Sequence, residues 1–157
     1  MSKIFPIGTA TVAAYACQEL GDEIEVELFK LPEELDKALC KNIPEILCLS
    51  NYAWNLQIAN TFAKAAKKEK PNLIIVFGGP NFPDSEEERT LFLKKYSSID
   101  FYIIGEGEEG FVNLFKKLKE FGMNSAQLQK QKEKVQNCAY VLEDELIIGE
   151  RARINNL

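Results

Sequence analysis

Three short segments hold most of the side chains that could do chemistry. The first, Ser50-Asn51-Tyr52-Ala53-Trp54-Asn55, sets a hydroxyl and two carboxamides beside two aromatic rings. The second is Gly78-Gly79-Pro80, followed by Asn81, and the third is Gly105-Glu106-Gly107-Glu108-Glu109-Gly110. A glycine pair lets a ligand approach the backbone closely, because no Cβ stands in the way; it equally suits a plain tight turn. Ser50 could donate to a ligand nitrogen or cap a following helix. Tyr52 and Trp54 could cover a flat ring, the alternative for a lone tryptophan being a place in the core. Glu106 and Glu108 resemble a carboxylate pair, but acidic side chains also favour the positive end of the next helix, and that reading is preferred to a catalytic one. No catalytic residue is assigned.

What is missing bounds the chemistry as firmly. The chain has no histidine in 157 residues. That removes Ser–His and Cys–His arrangements and every His-bearing metal site. Cys17, Cys40, Cys48 and Cys138 form no C-x-x-C pair, so neither a zinc site nor an iron–sulfur cluster has a visible ligand set. Each lies in or beside an apolar run, which predicts buried, reduced thiols. The third segment matches neither the dinucleotide fingerprint nor the P-loop, and its charge would repel phosphate. Lys116 and Lys117 lie too far along the following helix to help, so NAD and ATP are disfavoured. The charge sum, 19 − 24 = −5, gives no electrostatic reason to bind nucleic acid. No apolar run approaches the ~18 residues of a membrane span, and the start lacks a signal-peptide core. A cytoplasmic chain with no membrane partner is expected. The composition, 46% hydrophobic and 27% charged, is that of one ordinary globular domain.

A regular alternation of elements must position the three segments. Thr9 to Leu20 reads as a helix stopped at Gly21. Ile24, Val26 and Leu28 alternate with Glu23, Glu25 and Glu27, predicting a half-buried strand over Glu23–Leu31. Pro32 opens a short helix through Cys40. Glu45–Ser50, with Ile46-Leu47-Cys48-Leu49, predicts a strand buried on both faces. Trp54 to Lys70 is the next helix, with Lys67, Lys68 and Lys70 at the negative end of its dipole as a solvated terminus. Leu73 to Phe77 is a buried strand ended by Gly78-Gly79-Pro80. An acidic segment, Asp84 to Glu88, leads into a helix through about Tyr96. Phe101 to Ile104 is another strand, and Phe111, Leu114, Phe115 and Leu118 mark an amphipathic helix. Asn124 to Gln136 is a polar helix or linker, and Cys138–Leu142 with Leu146–Ile148 reads as a hairpin. The alternation predicts an α/β fold: a flavodoxin-like (Rossmann-like) three-layer sandwich with a mainly parallel sheet, plus a C-terminal β-hairpin. Ligands of such sheets bind beyond the carboxyl ends of the strands, where all three segments fall.

Taken in order, Pro6-Ile7-Gly8 with Ala13-Ala14-Tyr15, the Ser50–Asn55 segment, Val76-Phe77-Gly78-Gly79-Pro80, and Asp100-Phe101-Tyr102-Ile103-Ile104-Gly105-Glu106-Gly107-Glu108 form an ordered set. The set resembles the N-terminal cobalamin-binding domain of cobalamin-dependent radical S-adenosylmethionine (SAM) enzymes, over about residues 5–121. Gly149-Glu150-Arg151-Ala152-Arg153 resembles the stretch before that family's radical barrel. The resemblance implies cobalamin (vitamin B12) held at the strand ends by Ser50, Asn51, Tyr52, Trp54, Asn55, Gly78, Gly79, Pro80, Gly105, Glu106, Gly107 and Glu108. The nucleotide tail would run near Ser50 and Gly78-Gly79, so that Gly79→Val intrudes on it. The Tyr52–Asn55 and Gly105–Glu108 loops would edge the corrin, with Tyr52, Trp54 and Phe82 as apolar neighbours. It implies a module over residues 1–123, with residues 124–157 leading toward a radical SAM catalytic domain in a longer chain.

The sequence departs from that family in three ways. There is no Asp-x-His-x-x-Gly histidine, so a protein imidazole cannot ligate cobalt and a His-off cofactor is expected. There is no C-x-x-x-C-x-x-C motif, so no iron–sulfur cluster is expected, and the chain reads as a fragment or free-standing relative that is not catalytic alone. Only Met1 to Phe5 precedes Pro6, where the family carries a strand. In the order 2-1-3-4-5 that leaves Glu23–Leu31 and Glu45–Ser50 without their shared neighbour. Closure of the two on each other, pairing of the Cys138–Ile148 hairpin with the exposed edge, or a homodimer would relieve the gap. The rival functional reading is a cofactor-free flavodoxin-like interaction or structural domain.

Overall fold

The computed structural model describes residues 7–151. The Met1–Phe5 stub, Pro6 and residues 152–157 lie outside the described residues. Five strands form one sheet in the order β1-β2-β3-β4-β5. β1 (Ile46–Ser50), β2 (Ile74–Gly78) and β3 (Phe101–Ile103) are parallel, with Ser50 level with Gly78 and Gly78 level with Ile103. β4 (Cys138–Leu142) runs antiparallel to β3, and β5 (Glu145–Ile148) antiparallel to β4. The helices are α1 (Ile7–Leu20), α2 (Pro32–Lys41), α3 (Leu56–Glu69), α4 (Glu86–Lys95), α5 (Gly107–Glu120) and α6 (Ser125–Lys130). None among the described residues is long and apolar enough to cross a membrane. This is the expected flavodoxin-like α/β architecture, with a mixed sheet.

The period-2 alternation of the central strands sorts their side chains into two cores. Leu47, Ile75, Phe77 and Tyr102 meet Ala59, Ala63 and Ala66 of α3 and Leu93 of α4. Ile74, Val76, Phe101 and Ile103 meet Leu114 and Leu118 of α5 and Leu128 of α6. Local signals set the boundaries. Pro32 takes the first turn of α2, where its missing N–H costs nothing. Ser85 caps α4, accepting from Glu88 N (3.2 Å) and donating to the Glu88 carboxylate (2.9 Å). Glu143 and Asp144 both have positive φ, 47° and 71°, the two-residue turn whose twist suits a hairpin.

Several expectations need correcting. Glu23–Leu31 is not a strand: a 3₁₀ turn covers Gly21–Glu23 and irregular chain follows. Alternation defines a face, but a strand also needs a ladder, and no described residue pairs with this segment. Val26 and Leu28 are consequently exposed. β1 is not buried on both faces; it is an outer strand of the described sheet, with Leu47 buried and Cys48 exposed. Cys17 and Cys40 are exposed as well, leaving Cys138 as the one buried cysteine. An apolar run near a cysteine does not bury it when the run faces outward from a helix or an edge. The hairpin extends the sheet, but on β3 rather than on the open side of β1.

The lysines closing α3 are not merely solvated. Lys70 donates to Pro44 O (2.9 Å), and Lys67 reaches both Asp100 oxygens at 2.5 Å. Asp100, at the foot of β3, also accepts from Ile75 N (2.8 Å). Burial lifts the Asp100 carboxyl above its ordinary pKa, against the lowering pull of the Ile75 N–H and of Lys67. A carboxyl raised in the folded state contributes stability that is complete below its unfolded pKa and is lost as pH rises through the folded one. Asp100→Asn is therefore expected to flatten the stability profile just above the ordinary carboxylate range. Urea midpoints across that range check it, and an unchanged slope would contradict it.

Candidate functional site

Because β1, β2 and β3 are parallel, their carboxyl ends open on one edge, and a cleft of about 520 Å³ lies there. Cys48, Ser50, Val76, Gly78 and Ile103 share one face of these strands and form its floor. The first two turns of α1 (Gly8, Thr9, Thr11, Val12) and the first turn of α5 border it, and Tyr52, Pro80 and Phe82 project beyond the strand ends. Gly78 has no side chain between Ser50 and Ile103, so the floor carries a furrow at that level.

Of the anticipated residues, Ser50, Tyr52, Gly78, Gly79, Pro80, Gly105, Glu106, Gly107 and Glu108 line this cleft. Asn51, Trp54 and Asn55 do not. Asn51 is fully buried and works as a knot. Its N–H donates to Gly78 O (2.7 Å), and its carboxamide donates to Asn81 O (2.8 Å) and to Tyr102 Oη (3.0 Å). Asn81 Nδ2 donates back to it at 3.1 Å. The Tyr102 hydroxyl in turn donates to Gly79 O (2.9 Å). Burial pushes the Tyr102 pKa up to about 12, against the lowering effect of the Asn51 hydrogen bond, so the phenol keeps its proton at neutral pH. Gly79 sits at φ 127°, and a Cβ there would stand 2.5 Å from Asn51 O. The Asn51 backbone already stands against this glycine, so a valine side chain here would collide first with the protein itself.

Asn55 braces the first loop: it accepts from Tyr52 N (2.8 Å) and donates to Ser50 Oγ (3.2 Å). Ser50 therefore does not cap α3, and its own hydroxyl proton points to no described acceptor. α3 starts only at Leu56, so Trp54 lies in the turn before it, 78% exposed. Its ring stacks on Tyr52, centroids 4.6 Å apart. The core reading of this tryptophan is thus wrong. On the opposite side α5 begins at Gly107, so the glycine segment is partly helix. Glu108 and Glu109 occupy its first turn, and Gly107 and Gly110 let the helix close on Val12 and Ile103.

Sequence reasoning missed the α1 residues, Cys48, Asp84, Arg89 and Arg151. Arg89 donates from Nε to Pro83 O (2.7 Å) and lies over Phe82, which stacks on Tyr102 at 3.8 Å. Arg151 arrives by topology. β4 descends from the end of β3 and β5 climbs back, so the hairpin returns the chain to the cleft edge. The hairpin was legible, but the strand it pairs with was not, and only that pairing places Arg151. Among the described residues no cluster of three or more metal-ligating side chains gathers.

Residues 2–115 match the family model described as B12 binding domain. The chain belongs to the B12 binding domain family. Every cleft residue except Arg151 falls inside the matched stretch. This B12 binding domain is 38% identical over 71 residues to the cobalamin-dependent radical SAM methyltransferase TokK of Streptomyces tokunonensis, covering 45% of this chain and 10% of that protein. It is 27% identical over 113 residues to a 2-(S-pantetheinyl)-carbapenam-3-carboxylate methyltransferase of Streptantibioticus cattleyicolor, covering 69% of this chain and 16% of that one. The B12 binding domain therefore spans a small fraction of the curated relatives it matches. It also aligns with the N-terminal domain of a hypothetical protein from Thermotoga maritima at a TM-score of 0.45 and 20% identity, over 76% of this chain and 92% of that one.

Proposed function

We propose that this chain is the cobalamin-holding module of a cobalamin-dependent radical SAM enzyme, binding the cofactor His-off at the carboxyl edge of the sheet and not catalytic alone. The observation that carries this reading is the B12 binding domain match over residues 2–115, which contains the strand-end cleft. The donor set fits such a cofactor. The furrow over Gly78 admits a narrow tail, and Ser50 offers a hydroxyl donor beside it. The exposed Tyr52–Trp54 stack and Phe82 present apolar rings to a large flat macrocycle. Bound cobalamin would supply a cobalt centre able to carry a methyl group. The protein's share is to bind, orient and shield: Asn51, Asn81 and Tyr102 hold the strand-end loops, and with no histidine in the chain no imidazole of its own reaches the metal. Residues 124–157 would lead from this module toward the catalytic domain of a longer enzyme, in the cytoplasm. The outer edge of β1, which pairs with no described strand, favours a homodimer, and sedimentation velocity tests that.

Titrating the chain with hydroxocobalamin tests the function. We expect a change in the visible spectrum, cofactor retained through desalting, and no coupling from a protein imidazole in the electron paramagnetic resonance of the cob(II)alamin form. The chain's single tryptophan, Trp54, should lose fluorescence as the absorbing corrin arrives. Trp54→Ala is expected to weaken binding about tenfold, a loss of ~1.4 kcal/mol that matches one aromatic contact. No spectral change and no retained cofactor would leave the cofactor-free interaction domain as the better reading.

A further inference from the structure

We infer that Arg151 is a cofactor-contacting residue, its guanidinium donating to a carboxamide on the rim of the corrin; the inference rests on the cobalamin reading above. Arg151 lies two residues beyond Gly149, and its placement is built rather than incidental. Gly149 N donates to Cys138 O (3.0 Å), and Asn137 N donates to Glu150 O (2.9 Å), so the hairpin fixes the chain up to the preceding residue. The side chain then crosses Gly105, which holds φ 74°. A Cβ on Gly105 would stand 3.4 Å from Arg151 Nε and 3.5 Å from Nη2, in van der Waals range, so the guanidinium lies directly against this turn. Arg151 lines the cleft, yet it has no hydrogen bond or ion pair to any described residue. Arg89, the other cleft arginine, is already engaged by Pro83 and Phe82.

The charge of the lining says what Arg151 meets. Among the described lining residues, two arginines stand beside three carboxylates, Asp84, Glu106 and Glu108, so this edge of the cleft offers both donors and acceptors. A primary carboxamide offers a carbonyl oxygen to the guanidinium and N–H groups to a neighbouring carboxylate, so a rim of mixed sign suits it. Cobalamin carries such carboxamides around the corrin and a single phosphodiester on its tail, which makes the two contacts separable.

The test uses the full chain, as wild type, Arg151→Gln and Arg151→Lys, titrated with hydroxocobalamin and with cobinamide. Cobinamide keeps the corrin carboxamides and lacks the phosphodiester and nucleotide. Arg151→Gln is expected to weaken both corrinoids by the same factor, about tenfold for one charge-assisted hydrogen bond. Arg151→Lys should fall between, having lost the planar fork. Thermal melts of the three proteins should coincide, since the side chain is exposed. Unchanged affinity for both corrinoids would overturn the assignment. A loss confined to hydroxocobalamin would also overturn it, in favour of the phosphodiester. Wild-type chain that retains neither corrinoid would overturn the cobalamin reading itself, and the assignment with it.

Discussion

Gly78→Val is expected to yield a folded protein that no longer retains cobalamin, whereas its neighbour Gly79→Val is expected to lose the fold. The two glycines are adjacent in sequence and opposite in consequence. A Cβ on Gly78 would meet Ile103 at 3.7 Å, an ordinary contact, and the extended strand backbone suits valine. Its methyls would stand in the furrow between Ser50 and Ile103. Overfilling a fitted space costs about 1–3 kcal/mol, which translates to an affinity loss of up to about 100-fold. At Gly79 the φ of 127° is hostile to any side chain, and the new Cβ would press on both O and N of Asn51, at 2.5 and 3.1 Å. Relief requires moving Asn51 away from Gly78, Asn81 and Tyr102. We expect a cost of ~3–5 kcal/mol, a large share of a typical domain's stability. Denaturant midpoints and cofactor retention after desalting separate the two. A Gly78→Val protein that binds normally would remove the furrow from the site. A Gly79→Val protein of wild-type stability would show that Asn51 is not held by this turn.

These paired outcomes show where the sequence was readable. The runs Leu73–Phe77 and Phe101–Ile104 and the motif at Phe111–Leu118 were legible because each carries its periodicity within a few residues, and the parallel order then places three strand ends together. Conformations fixed by a distant neighbour were not. Glu23–Leu31 alternates as well as any strand, but alternation is silent about whether a ladder partner exists. Trp54 could be core or rim on composition alone. Its stack on Tyr52 depends on α3 starting two residues later, at Leu56, than the spacing suggests. Asn51 looked like a ligand contact because it stands at a strand end, yet the cross-loop hydrogen bonds turn it inward and bring its backbone against Gly79. Polar residues at a strand end have two ways to be satisfied, by a ligand or by each other, and a single sequence does not choose between them. The hairpin was visible in Cys138–Ile148, but the return of Arg151 to the cleft follows only from its pairing with β3.

That return rests on one further close approach, and Gly149→Ala is expected to break it. A Cβ on Gly149 would fall inside the carbonyl of Val135 and stand 2.9 Å from Gln136 N. Both obstacles are backbone, so no rotamer change relieves them. Their surroundings are buried: Val135, Cys138 and Ile147 belong to the core beneath α5 and α6. The chain must either give up the Gly149 N to Cys138 O and Asn137 N to Glu150 O bonds or displace the segment before β4. Losing these bonds and the local packing should cost ~3–4 kcal/mol, a fall in melting temperature of about 10 °C for a chain of this size. Hydrogen exchange should rise in β5 and at the start of β4 while β1 and β2 stay protected. Because Arg151 would lose its anchor, corrinoid affinity should drop as in Arg151→Gln, with Gly78 and Ser50 untouched. A melt within a degree or two of wild type would show that the hairpin accommodates a side chain there. Loss of protection across β1 and β2 as well would show that the hairpin and the parallel strands unfold as one unit.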